Sequence, residues 1–193
     1  LSIGMECGMA RQGKANQVRI IGGAYRRRML SFPDQAGLRP TPDRVRETVF
    51  NWLGQTLEGL SVLDLFAGSG AMGLEAASRG AKVVTLVEKA APVAAALRAN
   101  CRVLGTNQVA VVEADALAWL ARCETQFDVV FLDPPFAANL LPAVLPLLPA
   151  VLGVRGAVYM ESDADITAEG WRQIKSGKAG LVRYGLWEWG AEA

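Results

Sequence analysis

Val62-Leu63-Asp64-Leu65-Phe66-Ala67-Gly68-Ser69-Gly70-Ala71-Met72-Gly73 joins an apolar run to a glycine-rich loop and the start of an alanine-rich helix. The run 62–66 reads as a buried strand, because it is short and almost continuously apolar. Glycines after it permit a tight turn and let a ligand lie against bare backbone, near the electropositive end of the helix expected over 70–79. Asp64 stands four residues before the loop, where a carboxylate could meet an ammonium group rather than a pyrophosphate. Its alternative task is to stabilise the loop or cap the helix.

Outward from this unit the same rhythm repeats. Strands are expected at 83–87, 109–112, 127–132 and 157–160, with helices at 90–103, 115–122 and 139–151, the last despite its prolines. Leu181 to Trp189 reads as a further strand, able to form a hairpin with the stretch around Trp171 to Lys175 across Ser176-Gly177 and Gly180. The fold class is therefore α/β: a doubly wound, seven-stranded, mostly parallel sheet with a C-terminal antiparallel hairpin. A short basic N-terminal extension precedes it. Residues 1–17 lack an apolar period and are expected to be a disordered tail, 18–58 a basic strand-and-helix extension, and 59–193 the main domain. Within the extension, Val18 to Ile21 is a strand candidate. Thr41 can cap a helix that begins at Pro42, with Asp43 in its first turn.

A second stretch carries chemistry. Asp133-Pro134-Pro135-Phe136 follows the buried run Phe127 to Leu132. Two prolines remove two N–H donors and leave their carbonyls free to accept, beside an aromatic ring. Such a lip suits a planar group bearing an exocyclic NH2, although a plain Pro-Pro turn reads the same way. Glu88 ends the second strand, where an acid can bind ribose hydroxyls. Asp115 ends the third, suited to an adenine amino group or simply to capping the next helix. The glycine loop and Glu88 alone equally describe a nicotinamide dinucleotide site. With the first and fourth strands adjacent, the loop and the lip would flank one crevice at the switch point.

Composition narrows the classes. The 193 residues contain no histidine, which removes imidazole-based nucleophile designs and the commonest metal ligand. Cys7, Cys101 and Cys123 are odd in number and widely spaced, so neither a disulfide framework nor a zinc site is expected, and a cytoplasmic setting fits. No apolar run reaches membrane-span length. Net charge is only +1, yet Arg26, Arg27, Arg28, Arg39, Arg44 and Arg46 crowd the first quarter of the chain, a distribution that suggests phosphate contact or a solvated tail.

Asp64 to Gly70, Glu88, Asp115 and the Asp133–Phe136 lip together resemble class I S-adenosylmethionine-dependent methyltransferases of exocyclic amines. Val18 to Gly23, Arg26 to Leu30 and Gly37 to Glu47 sharpen this to a resemblance to the RsmD family, bacterial 16S ribosomal RNA guanine-N2 methyltransferases. The resemblance runs from about Val18 to the C-terminus and includes Lys178-Ala179-Gly180. It departs at Arg26-Arg27-Arg28, where the family usually has Arg-Gly-Arg. It implies S-adenosylmethionine bound by Asp64, Phe66, Ala67, Gly68, Gly70, Glu88, Lys89, Asp115 and Ala116. It further implies catalysis by Asp133, Pro134 and Phe136, and RNA contact by the six arginines. The implied partner is 16S RNA in an assembling small subunit, with no metal and no membrane. The rival readings are an adenine-N6 or cytosine-N4 amino-methyltransferase and an NAD-dependent oxidoreductase.

Overall fold

The structure, a computed structural model, describes residues 16–190. The chain opens with an antiparallel pair, β1 (Asn16–Arg19) and β2 (Met29–Phe32). Asn16 and Gln17, expected to be disordered, are thus already in a strand, and residues 1–15 lie outside the described part. Helix α1 (Asp43–Trp52) follows. Thr41 does not cap it: Pro42 occupies the N-cap with no side-chain bond, and Thr41 itself is buried.

The main sheet then builds by alternation: β3 (Ser61–Asp64), α2 (Ala71–Ser78), β4 (Val83–Glu88), α3 (Ala91–Leu104), β5 (Val109–Glu113), α4 (Ala116–Leu120) and β6 (Phe127–Leu132). The segment expected to be one helix over 139–151 is broken. Only α5 (Leu141–Val144) is α-helical, flanked by 3-10 turns at Phe136–Ala138 and Leu148–Val151. Pro142, Pro146 and Pro149 withhold the N–H groups a continuous helix needs. Strand β7 (Leu152–Ser162) leads to the hairpin of β8 (Trp171–Ala179) and β9 (Val182–Trp189). Ser176 and Gly177 lie within β8, so the turn falls at Gly180-Leu181 rather than earlier.

Seven strands stand in the order β5-β4-β3-β6-β7-β9-β8, parallel from β5 to β7 and antiparallel thereafter. β3 and β6 are neighbours, with Asp64 opposite Phe131. The sheet therefore reverses its winding between them, and the carboxyl ends of both open onto one crevice. Two apolar cores flank the sheet. One holds α2, α3 and the extension, whose Val18, Ile20, Leu30, Phe32, Val45, Val49 and Phe50 pack with the sheet residues Val62, Val84, Leu86, Phe131 and Tyr159. The other gathers α4, α5 and the second 3-10 turn around Leu63, Val130, Val158 and Met160. The extension is thus welded to the sheet by shared burial.

Candidate active site

A cavity of about 750 Å³ opens at the carboxyl ends of β3, β4, β6 and β7, within the range usual for small-molecule sites. Its walls bring together most of the residues that the sequence nominates. Asp64, Phe66, Ala67, Gly68, Glu88, Lys89, Asp115 and Ala116 line one side, and Asp133, Pro134 and Phe136 the other. Pro134 is buried, whereas Phe136 stands at the rim, 38% exposed.

Gly70 is the exception among the nominated cofactor residues, because it does not line the cavity. It sits at the N-cap of α2 with φ +79°, and a Cβ there would meet Leu97 Cδ2 at 2.6 Å and Leu74 Cδ1 at 2.9 Å. Its bareness serves close packing and a left-handed turn. Gly68 is the glycine that faces the crevice, at φ +52°.

The acids do double work. Asp64 is buried and its Oδ2 accepts the Gly73 amide of α2 at 3.0 Å. Burial pushes its carboxyl up to about 7; the charge of Glu88 adds to this and the Gly73 bond opposes it. Glu88 staples the loop through both oxygens, accepting Gly68 N–H at 3.0 Å and Ala90 N–H at 2.8 Å. Each oxygen keeps a lone pair for a ligand hydroxyl. Asp115 caps α4 through Ala118 N–H at 3.1 Å, as its alternative reading held, and also meets Lys89 at 3.3 Å. The Ala118 bond holds its carboxyl below the ordinary range. Asp133 is raised well above that range, first by burial and then by the nearby charges of Glu161 and Asp64.

The arginines scatter. Arg39 is exposed and lines the cavity on a wall made by residues 35–42. Arg44 is exposed on α1. Arg26, Arg27 and Arg28 are exposed but lie at the other end of the molecule: Ala24 N–H bonds the last turn of α2 at Ser78 O, and Arg28 reaches Val103 O at the end of α3. Both helices start at the cavity and end at the opposite edge of the sheet. Arg46 is a correction. It is 0% exposed, bonded to Thr41 O at 3.1 Å and paired with Asp43 at 2.5 Å and Glu75 at 3.4 Å. Glu75, also fully buried, accepts the amides of Ile21 and Gly22 at 2.8 Å each and pairs with Arg79 at 2.8 Å. Arg46 locks the extension to α2 and has no surface for RNA.

Sequence reasoning missed Glu161. It is 7% exposed at the end of β7, lines the cavity and accepts the hydroxyl of Tyr159. A signal existed: β3, β4, β5 and β6 end in or directly before Asp64, Glu88, Glu113 and Asp133, and Glu161 likewise directly follows the apolar run 157–160, although β7 continues one residue beyond it.

The winding order, the glycine turn and the acid-ended strands define a class I methyltransferase fold, with the crevice where such folds hold their ligands. Residues 18–188 match the family described as conserved hypothetical protein 95. Ribosomal RNA small subunit methyltransferase D of Escherichia coli is 41% identical over 180 residues, covering 90% of this chain and 91% of the relative. The Haemophilus influenzae protein of the same name is 42% identical over 181 residues, covering 89% and 94%. The solved structure of Escherichia coli yhhF, described as a methyltransferase candidate, superposes with TM-score 0.83 at 42% identity, covering 92% of this chain and all of that one. A ribosomal protein L11 methylase from Lactobacillus delbrueckii shares the fold at TM-score 0.64 and 19% identity. The chain belongs to the conserved hypothetical protein 95 family, that of the small-subunit ribosomal RNA methyltransferase D proteins.

Proposed function

We propose that the protein transfers a methyl group from S-adenosylmethionine to the exocyclic N2 amine of a guanine in small-subunit ribosomal RNA, in the cytoplasm and on an assembling particle. The observation that carries this reading is the meeting of the glycine loop and the Asp133–Phe136 lip in one cavity. Relatives named for small-subunit ribosomal RNA support the substrate class. When bound, S-adenosylmethionine supplies a methyl activated by its sulfonium.

The residues present fit that cofactor. Asp64 faces the cavity where an ammonium would lie, Glu88 keeps lone pairs for ribose hydroxyls, and the Asp115–Ala116 corner suits an adenine edge. Guanine N2 is a poor nucleophile because its lone pair is delocalised into the ring. Asp133 and the Pro134 carbonyl accept its two hydrogens, which favours the rehybridised nitrogen of the transition state. The methyl that the bound donor would supply leaves N2 with a proton that has become acidic. Asp133, whose basicity burial raises, receives it. Phe136 at the rim stacks on the extruded base, an interaction worth about 1–3 kcal/mol against a few for unstacking. Arg39 and other exposed arginines must therefore supply affinity through phosphates.

The test is methyl transfer from labelled donor to small-subunit RNA, naked and in particles, with digestion to nucleosides. N2-methylguanosine is expected. Label on adenine N6 or cytosine N4 would replace the guanine reading with the amino-methyltransferase alternative.

A further inference from the structure

Glu161 is the buried cavity acid to which the proposed reaction gives no task. The parallel ladder between β6 and β7 ends at Leu132 opposite Met160. One residue further sets Asp133 beside Glu161, on neighbouring strands about 4.8 Å apart. Both side chains line the cavity, and the charge of Glu161 is felt at Asp133. The hydroxyl of Tyr159 donates to Glu161, and Thr41 lines the cavity beside it. Among the described residues it has no ion-pair partner. A buried carboxylate without a cation is costly; burial raises the Glu161 carboxyl, the Tyr159 hydroxyl opposes this by donating to it, and the group lines a ligand cavity where further donors would hold it ionised.

The nucleobases that carry an amine differ in the atom next to it. Guanine N2 adjoins a ring N1–H, which is a donor. The amines of adenine and cytosine adjoin a bare ring nitrogen, which is an acceptor. Two adjacent carboxylates match two adjacent donor groups, and they repel a ring lone pair. We propose that Glu161 accepts the N1–H of the target base while Asp133 and the Pro134 carbonyl take the N2 hydrogens, so that Glu161 selects guanine over adenine and cytosine. This assignment rests on the guanine-N2 reading above. It divides the labour of the acids: Asp133 serves the reacting nitrogen and Glu161 the identity of the base.

The test replaces the target guanosine, once mapped, with 2-aminopurine riboside in RNA reconstituted into small-subunit particles. The analogue keeps the N2 amine but presents a bare N1. The unaltered protein should methylate guanine about 10- to 100-fold more efficiently in kcat/KM, the effect of one hydrogen bond to a charged group. Glu161→Gln keeps the shape and can turn its NH2 toward the ring. It should lose activity on guanine, gain on 2-aminopurine, and lower the ratio at least tenfold with an unchanged melting temperature. Equal use of both bases by the unaltered protein overturns the assignment without any variant. So does a Glu161→Gln variant that slows both bases by the same factor, the mark of a merely structural anchor for Tyr159. Neither result touches the guanine-N2 reading, which falls only if the unaltered protein leaves no N2-methylguanosine.

Discussion

Asp64 and Arg46 show how burial decides what a charged residue does. Asp64 carries a proton more tightly in the folded chain, since its value rises from 3.8 to about 7. An acid whose folded value is raised contributes most stability below its unfolded value. Stability then falls as pH climbs from about 4 to about 7 and stays level above. On the proposed reading the cofactor ammonium pairs with the ionised form, so affinity should climb over that range. Asp64→Asn, which still accepts the Gly73 amide, should melt no lower than the parent at pH 8. It should bind S-adenosylmethionine about tenfold more weakly there, with no pH dependence by calorimetry; a retained pH dependence would remove Asp64 from the cofactor's contacts. Arg46 is the opposite case. Arg46→Ala leaves Glu75 buried with one partner fewer, and should cost about 3 kcal/mol in urea unfolding. The salt dependence of RNA binding should not change, whereas each phosphate-contacting arginine contributes about 0.7–0.9 to the slope. A reduced slope would return Arg46 to the RNA surface. Nothing in Arg44-Val45-Arg46 distinguishes the two arginines in a list of basic residues; the α1 apolar stripe, which turns Arg46 toward Glu75 between Val45 and Val49, does.

Elements explain why the glycine loop was legible as a site but not residue by residue. Three glycines on one βα turn have three tasks. Gly68 faces the crevice, Gly70 turns left-handed under Leu97, and Gly73 lets α2 approach the sheet, where a Cβ would meet Leu86 Cδ2 at 2.2 Å and Asp64 Oδ2 at 3.1 Å. Gly73→Ala gains about 1 kcal/mol of helix propensity, but overpacking costs about 1–3 kcal/mol. Leu86 is fully buried and has little room to yield. The variant should therefore be net destabilised in denaturant unfolding, and its cofactor affinity should fall because the Asp64 contact shifts. An unchanged midpoint would mean that α2 is free to slide. Strands were easy to read because four to six apolar residues ending in an acid look alike wherever they occur. The 139–151 segment was not, since apolar periodicity there competes with three prolines, and the prolines win.

For the whole molecule, the order β3-β6 at the sheet's centre turns separate motifs into one site; the rhythm of strands and helices implies a doubly wound sheet, but that adjacency enters the sequence reading only as a condition, because alternation alone does not set strand order. What the chain order could not give was the path of the extension. Its basic residues suggested an arm beside a catalytic body. Instead its apolar residues close one face of the sheet, and its 35–42 stretch walls the cavity, where Thr41 and Glu161 both stand in the lining. Contacts of that range follow from packing, and no local pattern encodes them. The same closure joins the proposed RNA contact at Arg39 to the base pocket over a few residues, while Arg26 to Arg28 lie at the far edge. The central claim is that Asp133 accepts the hydrogens of the reacting amine in a crevice that also holds the methyl donor. Its most direct test is the single-turnover rate of N2-methylguanosine formation on saturated small-subunit particles, for the parent and for Asp133→Ala. The expected result is a loss of roughly 100- to 1,000-fold in the variant, with donor affinity within a few-fold of the parent. Equal rates for the two proteins would contradict it.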